Sequence, residues 1–171
     1  MSTSSPASVA NPRGLRLLGQ VAVFASVALA VYFGLSWFNQ PVAAVWTDDY
    51  AAAVKQAQAE NKKILLNFTG SDWCVNCTHL DDDVFSKPAF ARYARSHYVL
   101  VTVDFPLQKK LPDNVAQQNQ ALQEKYAVPG YPTLVLLDSS EHKLNQIVGY
   151  NGSRLQAYLS HLDKDFAGSA P

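Results

Sequence analysis

Cysteine is nearly absent, with two residues in a chain of 171. Two cysteines cannot build a disulfide-rich scaffold. Nor can they supply a four-cysteine zinc ribbon or iron–sulfur site within one chain. An excess of charge of either sign is also missing. Fourteen Lys and Arg balance fourteen Asp and Glu, and no long basic cluster occurs. Such a chain is a poor nucleic-acid binder, and no nucleic-acid partner is expected. Charged residues are only 16% of the total, and the shortage is partly local: none falls between Leu17 and Phe38. No repeat or low-complexity run is visible. The four histidines, His79, His97, His142 and His161, share no spacing and receive no role.

The uncharged stretch is the first feature that is present. Residues 17–38 read LLGQVAVFASVALAVYFGLSWF, 22 residues in which Gln20 is the only strongly polar one. At about 1.5 Å per residue a helix of that length matches a hydrocarbon core of about 30 Å. Tyr32, Trp37 and Phe38 stand near its far end, where interfacial aromatics are favoured. Arg13 and Arg16 precede the span and the next basic residue is Lys55, so the N-terminus is expected in the cytoplasm and the rest exported. A cleaved signal peptide is the competing reading, with Val42-Ala43-Ala44 near a cleavage position, although the apolar run exceeds the usual signal core. A buried soluble helix is disfavoured because no face is polar. The expected organisation is a disordered segment over 1–16, a membrane span over 17–38, a linker over 39–45, a folded domain over 46–167 and a disordered tail over 168–171.

The exported part is long enough for one core. Thr47 is a candidate N-cap for a helix running to about Asn61. Lys63 to Phe68 is a short apolar run of strand length. A helix is expected from Cys74 to about Asp82, and another over Lys87 to Ser96. Tyr98 to Phe105 is β-branched and aromatic, hence a strand. After a loop over Pro106 to Pro112, Asp113 caps a helix to about Tyr126. Strands are expected over Thr133 to Asp138 and Leu144 to Tyr150. Ser153 caps a last helix with Leu155, Tyr158, Leu159, Leu162 and Phe166 on one face. The order α-β-α-β-α-β-β-α predicts an α/β fold, a central sheet with helices on both faces and a closing antiparallel hairpin.

Trp73-Cys74-Val75-Asn76-Cys77 follows a strand and opens a helix, the context that a redox reading of C-x-x-C requires. Free N–H groups at a helix start stabilise an anion, which favours a Cys74 thiolate. Cys77 lies nearly one turn later, close enough to close a small disulfide ring. Attack by Cys74 on a substrate disulfide gives a mixed disulfide, which Cys77 resolves. Buried inert cysteines, a static structural disulfide and a metal site through Cys74, Cys77 and His79 are the alternatives. Covalent haem attachment fails because residue 78 is Thr. Pro132, just before a strand in Val128-Pro129-Gly130-Tyr131-Pro132-Thr133, suits either a cis bond in a tight turn or an ordinary turn.

Ile64 to Phe68, then Trp73 to Cys77, then Gly130-Tyr131-Pro132-Thr133 together resemble the thioredoxin superfamily. Leu80, Val84-Phe85-Ser86 and Pro88 narrow the resemblance to the C-terminal thioredoxin-like domain of the bacterial reductase DsbD and its single-domain relatives. It runs from about Trp46 to Phe166. The resemblance implies a thioredoxin fold, here preceded by one transmembrane helix. It makes Cys74 the nucleophile and Cys77 the resolving cysteine. Trp73 shields the site, and Pro132 is the cis-proline facing the disulfide. Tyr131 offers its backbone to an extended peptide. Val75 and Asn76 help to set the redox potential. No cofactor is implied beyond the redox pair.

One departure stands out. Many thioredoxins carry a buried Asp in the strand before the motif, where this chain has Asn67. Asp72 is a candidate substitute, against its reading as an exposed loop carboxylate. Lys109 and Lys110 are expected in a solvated loop, and Asp81-Asp82-Asp83 at a solvated helix end. The sequons at Asn67 and Asn76 fall in a strand and in the redox motif, which favours a bacterial setting. The expected protein is a thiol–disulfide oxidoreductase anchored in the bacterial inner membrane with its domain in the periplasm. It would reduce exported protein disulfides and take electrons from a membrane donor. A non-redox binding module or holdase and a metal chaperone are the alternatives.

Overall fold

The computed structural model describes residues 27–33 and 43–164. The chain divides into two units, Met1–Pro41 and Val42–Pro171. In the first unit residues 27–33 are helical. Most of the expected span over 17–38, the segment 1–16 and the tail 168–171 lie outside the described residues. Among the described residues, no helix is long and apolar enough to cross a membrane.

The second unit is built on five strands: β1 (Trp46–Thr47), β2 (Lys63–Thr69), β3 (Tyr98–Asp104), β4 (Thr133–Leu137) and β5 (Lys143–Val148). Its helices are α1 (Tyr50–Glu60), α2 (Val75–Leu80), α3 (Pro88–His97), α4 (Asp113–Lys125) and α5 (Leu155–Leu162). The sheet order is β1-β3-β2-β4-β5. β1, β3 and β2 run parallel, while β4 is antiparallel to β2 and β5 to β4. This is the expected mixed sheet with its closing hairpin. The two-residue β1 has no period to detect and was not foreseen.

Alternation along the strands divides the core in two. Leu65, Leu100, Leu134 and Leu136 point to one face, where Leu80, Phe85, Phe90, Leu159 and Leu162 cover them. Ile64, Leu66, Phe68, Val101, Val135 and Leu137 point to the other, under Ala53, Ala57 and Leu122 of α1 and α4. Burial on both faces is why β2 reads as a continuous apolar run rather than an alternating one.

Helix ends differ from expectation in instructive ways. Asp49, not Thr47, caps α1, because its extended backbone lets Oδ1 accept the Ala52 N–H at 2.9 Å. Thr47 Oγ1 instead accepts the Asp49 N–H. Asp113 is the first residue of α4 after Pro112, and α5 begins after Arg154 rather than Ser153. The helix expected over Cys74 to Asp82 ends at Leu80 and passes into a π-helical turn over Asp81–Phe85. The Ser86 N–H donates to Asp81 O at 2.8 Å, a five-residue closure that widens the turn. The end of the last helix near Phe166 lies outside the described residues.

Candidate active site

The parallel strands β2 and β3 end side by side, and the redox motif hangs from that end. Gly70 O accepts N–H bonds from Trp73 at 3.3 Å and Cys74 at 2.9 Å, which folds the loop tightly. The Ser71 N–H and hydroxyl both donate to the Asp104 carboxylate, at 2.9 and 2.6 Å. The loop is therefore clamped to the last residue of β3. Cys74 sits in the N-cap position of α2 with extended backbone. Its Sγ takes the place of a capping oxygen and accepts the Cys77 N–H at 3.2 Å.

Cys74 and Cys77 form a disulfide with Cα atoms 5.2 Å apart. Both residues are nearly buried, at 8% and 7% exposure. When the pair is reduced, the same N–H favours Cys74 as a thiolate. Val75 and Asn76 between them face solvent. Among the described residues, no group of three or more His, Cys, Asp or Glu is placed to hold a metal ion.

Three aromatic rings flank the motif. Trp73 is partly exposed and donates from Nε1 to Phe105 O at 2.8 Å. Its ring meets Tyr131 edge-on at 5.8 Å, and Tyr131 stacks on Phe105 at 5.1 Å. The Tyr131–Pro132 peptide is cis. Thus the structure brings Trp73 and Tyr131, 58 positions apart in sequence, into ring contact at the redox motif.

Gly70 was not singled out in the sequence, yet it sets the Trp73 position. A Cβ added there would lie 2.4 Å from Trp73 Cε2. Gly70→Ala is expected to displace the indole and break its bond to Phe105 O. The expected cost is about 1–3 kcal/mol. Chemical denaturation measures it, and the oxidised protein's indole NMR signal reports the lost hydrogen bond.

Of the two readings of Asp72, the structure supports the loop carboxylate. Asp72 accepts the backbone N–H groups of Leu107, Gln108 and Lys109 at 2.9, 2.8 and 3.0 Å. These bonds, the one from Leu107 foremost, hold its carboxyl below the usual range. Asp72 is a loop anchor. Asn67 Oδ1 is buried without a hydrogen-bond partner among the described residues.

Asn67, Cys77 and Asp81, with Trp46, Thr69 and Thr102, line one cavity of about 390 Å³. Asp81 is solvent-exposed on its other flank. Partial desolvation, and second the neighbouring Asp82 carboxylate, raise the Asp81 carboxyl above the ordinary value. Asp81 to Asp83 are all solvent-exposed, as the reading of a solvated helix end expects; what that reading left out is the place of Asp81 in the cavity lining with Cys77. The available signal was spacing, since Cys77 and Asp81 are four residues apart and share a helix face.

A family model described as thioredoxin-like matches residues 45–139. The disulfide bond reductase DsbH of Chlamydia pneumoniae is 36% identical over 125 residues, which cover 71% of this chain and 74% of that protein. A solved structure titled DsbH oxidoreductase superposes with a TM-score of 0.65 at 33% identity, covering 75% of this chain and 90% of the other. The thiol:disulfide interchange protein DsbD of Photorhabdus laumondii is 29% identical over 110 residues, covering 63% of this chain and 18% of that much longer protein.

Proposed function

Because the chain belongs to the thioredoxin-like family and is a thiol–disulfide oxidoreductase, we propose that it works in the reducing direction, on disulfides of exported proteins. The observation that carries the exchange chemistry is the Cys74–Cys77 disulfide at the start of α2, with Cys74 Sγ already accepting a backbone N–H. In the reduced enzyme the Cys74 thiolate attacks one sulfur of a substrate disulfide. A Cys74–substrate disulfide forms and one substrate thiolate leaves, taking up a proton. The Cys77 thiolate then attacks Cys74 Sγ, closing the internal disulfide and releasing the second substrate thiol. Two electrons and two protons pass to the substrate. A membrane dithiol donor restores the pair.

Residues 17–38 supply the anchor in this reading, with the domain on the extracytoplasmic side of a bacterial inner membrane. The supports are the length and apolarity of that run and the arginines before it. The relatives named disulfide bond reductase and thiol:disulfide interchange protein support the direction and the class of partner.

Two measurements test the reading. The first is the reduction potential of Cys74–Cys77 in the full chain in detergent micelles, read by thiol alkylation after equilibration in glutathione or dithiothreitol buffers. The expected value is roughly −200 mV or lower, and a value near about −120 mV would turn the assignment to disulfide formation.

The second concerns the missing buried acid. Asp81, which lines the same cavity as Cys77, takes the Cys77 proton during resolution. Its raised carboxyl ionises later than an ordinary aspartate, so the resolving step should quicken as pH climbs through that raised value. Asp81→Asn should flatten the profile and slow resolution on the order of 10²-fold. Asp81→Glu should restore the slope. An unchanged profile in Asp81→Asn removes the residue from the mechanism.

A further inference from the structure

The connection between β3 and α4 is held in place by the residues around the redox motif. Residues 106–112 begin and end with proline. Three consecutive backbone N–H groups of this loop donate to Asp72, the residue before Trp73. Trp73 itself donates to Phe105 O. A loop held in this way is a preformed wall rather than a strap that must order on binding. It keeps Leu107 76% exposed.

Between this loop and α4 lies a cavity of about 570 Å³, beside Trp73 and Tyr131. Phe105, Leu107, Leu111 and Ala116 complete its apolar wall. Asp104, Lys109, Lys110 and Asp113 are the charged residues of its lining. Asp104 is occupied by Ser71, and Asp113 stands 4.0 Å from Lys110 with both side chains solvent-exposed. Lys109 has no carboxylate within ion-pair reach among the described residues. The lining thus combines an uncommitted cation with apolar side chains.

We propose that this cavity is a specificity pocket for substrate polypeptides, which takes a large apolar side chain whose neighbour in the substrate is a carboxylate. The proposal rests on the reading that the substrates are proteins. Trp73 is shared between the pocket and the redox motif. A side chain seated in the pocket therefore places its own chain's cysteine, a few extended residues away at about 3.3 Å each, beside Cys74. The apolar side chains supply affinity, and the lysines set the polarity of the neighbouring position.

The test uses the oxidised full chain in detergent micelles and calorimetric titration with ten-residue peptides carrying serine in place of cysteine. One set has Phe-Asp on either side of that serine, a second Ala-Ala and a third Phe-Lys. The Phe-Asp peptide is expected to bind about tenfold more tightly than the other two. Ala116→Trp, which fills the cavity from an exposed helix position, should erase the preference for Phe. Lys109→Glu with Lys110→Glu should reverse the preference for Asp over Lys.

Both variants should leave the reduction potential and exchange with dithiothreitol unchanged. Equal affinities for the three peptides, no measurable binding, or a preference that survives both variants would overturn the pocket. Turnover is read separately, with the reduced chain and the cysteine peptides supplied as their glutathione mixed disulfides. Selective binding without turnover sinks the reductase reading and leaves the pocket standing. Turnover without selectivity does the reverse.

Discussion

Cys74→Ser is expected to remove disulfide reduction almost completely, by roughly three orders of magnitude or more in turnover. The serine keeps the capping geometry, since its oxygen also accepts the Cys77 N–H that Cys74 Sγ now accepts at 3.2 Å. Loss of activity would therefore reflect loss of the nucleophile rather than of the helix start. Cys77→Ala has a different signature. Attack still occurs through Cys74, but nothing closes the ring, so protein–substrate mixed disulfides accumulate and survive non-reducing gel electrophoresis. Exposure does not separate the two cysteines, at 8% and 7%; the cap position of Cys74, whose Sγ accepts a backbone N–H, assigns it the attack. Trapping through Cys77 in a Cys74→Ser background would invert the assigned roles. Activity retained in Cys74→Ser would point to a binding module in which the pair is only structural.

The second large effect is on stability and lies away from the redox pair. Asp163, just past α5, is 4% exposed. Lys63 Nζ, at the start of β2, donates to both of its carboxylate oxygens, at 2.8 and 2.9 Å. The Tyr98 hydroxyl, at the start of β3, donates to Oδ2 at 2.7 Å. One carboxylate thus ties the last helix to the entry ends of two central strands. Burial first, and then the Asp163 charge, push the Tyr98 hydroxyl upward, so it remains a donor at every working pH.

Lys63→Met keeps much of the apolar stem but leaves a buried carboxylate without its ammonium. The expected loss is about 3 kcal/mol, because the desolvation cost of the remaining charge is no longer offset. That corresponds to a melting temperature lower by roughly 10 °C. Adding Asp163→Leu should recover a large part of the loss, since an apolar pair does not carry that penalty. Thermal and urea unfolding of the three variants measure this. A single substitution costing less than about 0.5 kcal/mol, the level of an exposed pair, would show that the charge is solvated in solution.

Neither Lys63 nor Asp163 stood out in the sequence, and the reason is distance. They are 100 positions apart, and a lysine at a strand start or an aspartate after a helix is ordinary. The same holds for Ser71 with Asp104, and for Asp72 with the 106–112 loop. Each is a local residue of unremarkable type until the sheet brings β2 and β3 into register. Trp46 is similar. Its place against Phe85 and Phe90 depends on a two-residue strand too short to have a period.

What the chain alone determined rests on short-range physics. Short apolar, β-branched and aromatic runs placed β2 to β5, because burial in a sheet dictates composition residue by residue. Cys74 and Cys77 were legible because a pair three positions apart at a strand-to-helix junction needs nothing distant to meet. Trp73, Tyr131 and Pro132 were legible as members of a recognisable pattern, although their ring contacts were not.

Folding alone decided which carboxylate stands near Cys77. Asp72 and Asp81 have the same side chain and lie close to the motif on either side. Asp72 meets three N–H donors that hold its carboxyl low, whereas partial desolvation and the neighbouring Asp82 charge raise that of Asp81. The ionisation of a carboxyl is set by the dipoles and solvent within a few ångströms of it, and those neighbours are assembled from strands and loops remote in sequence.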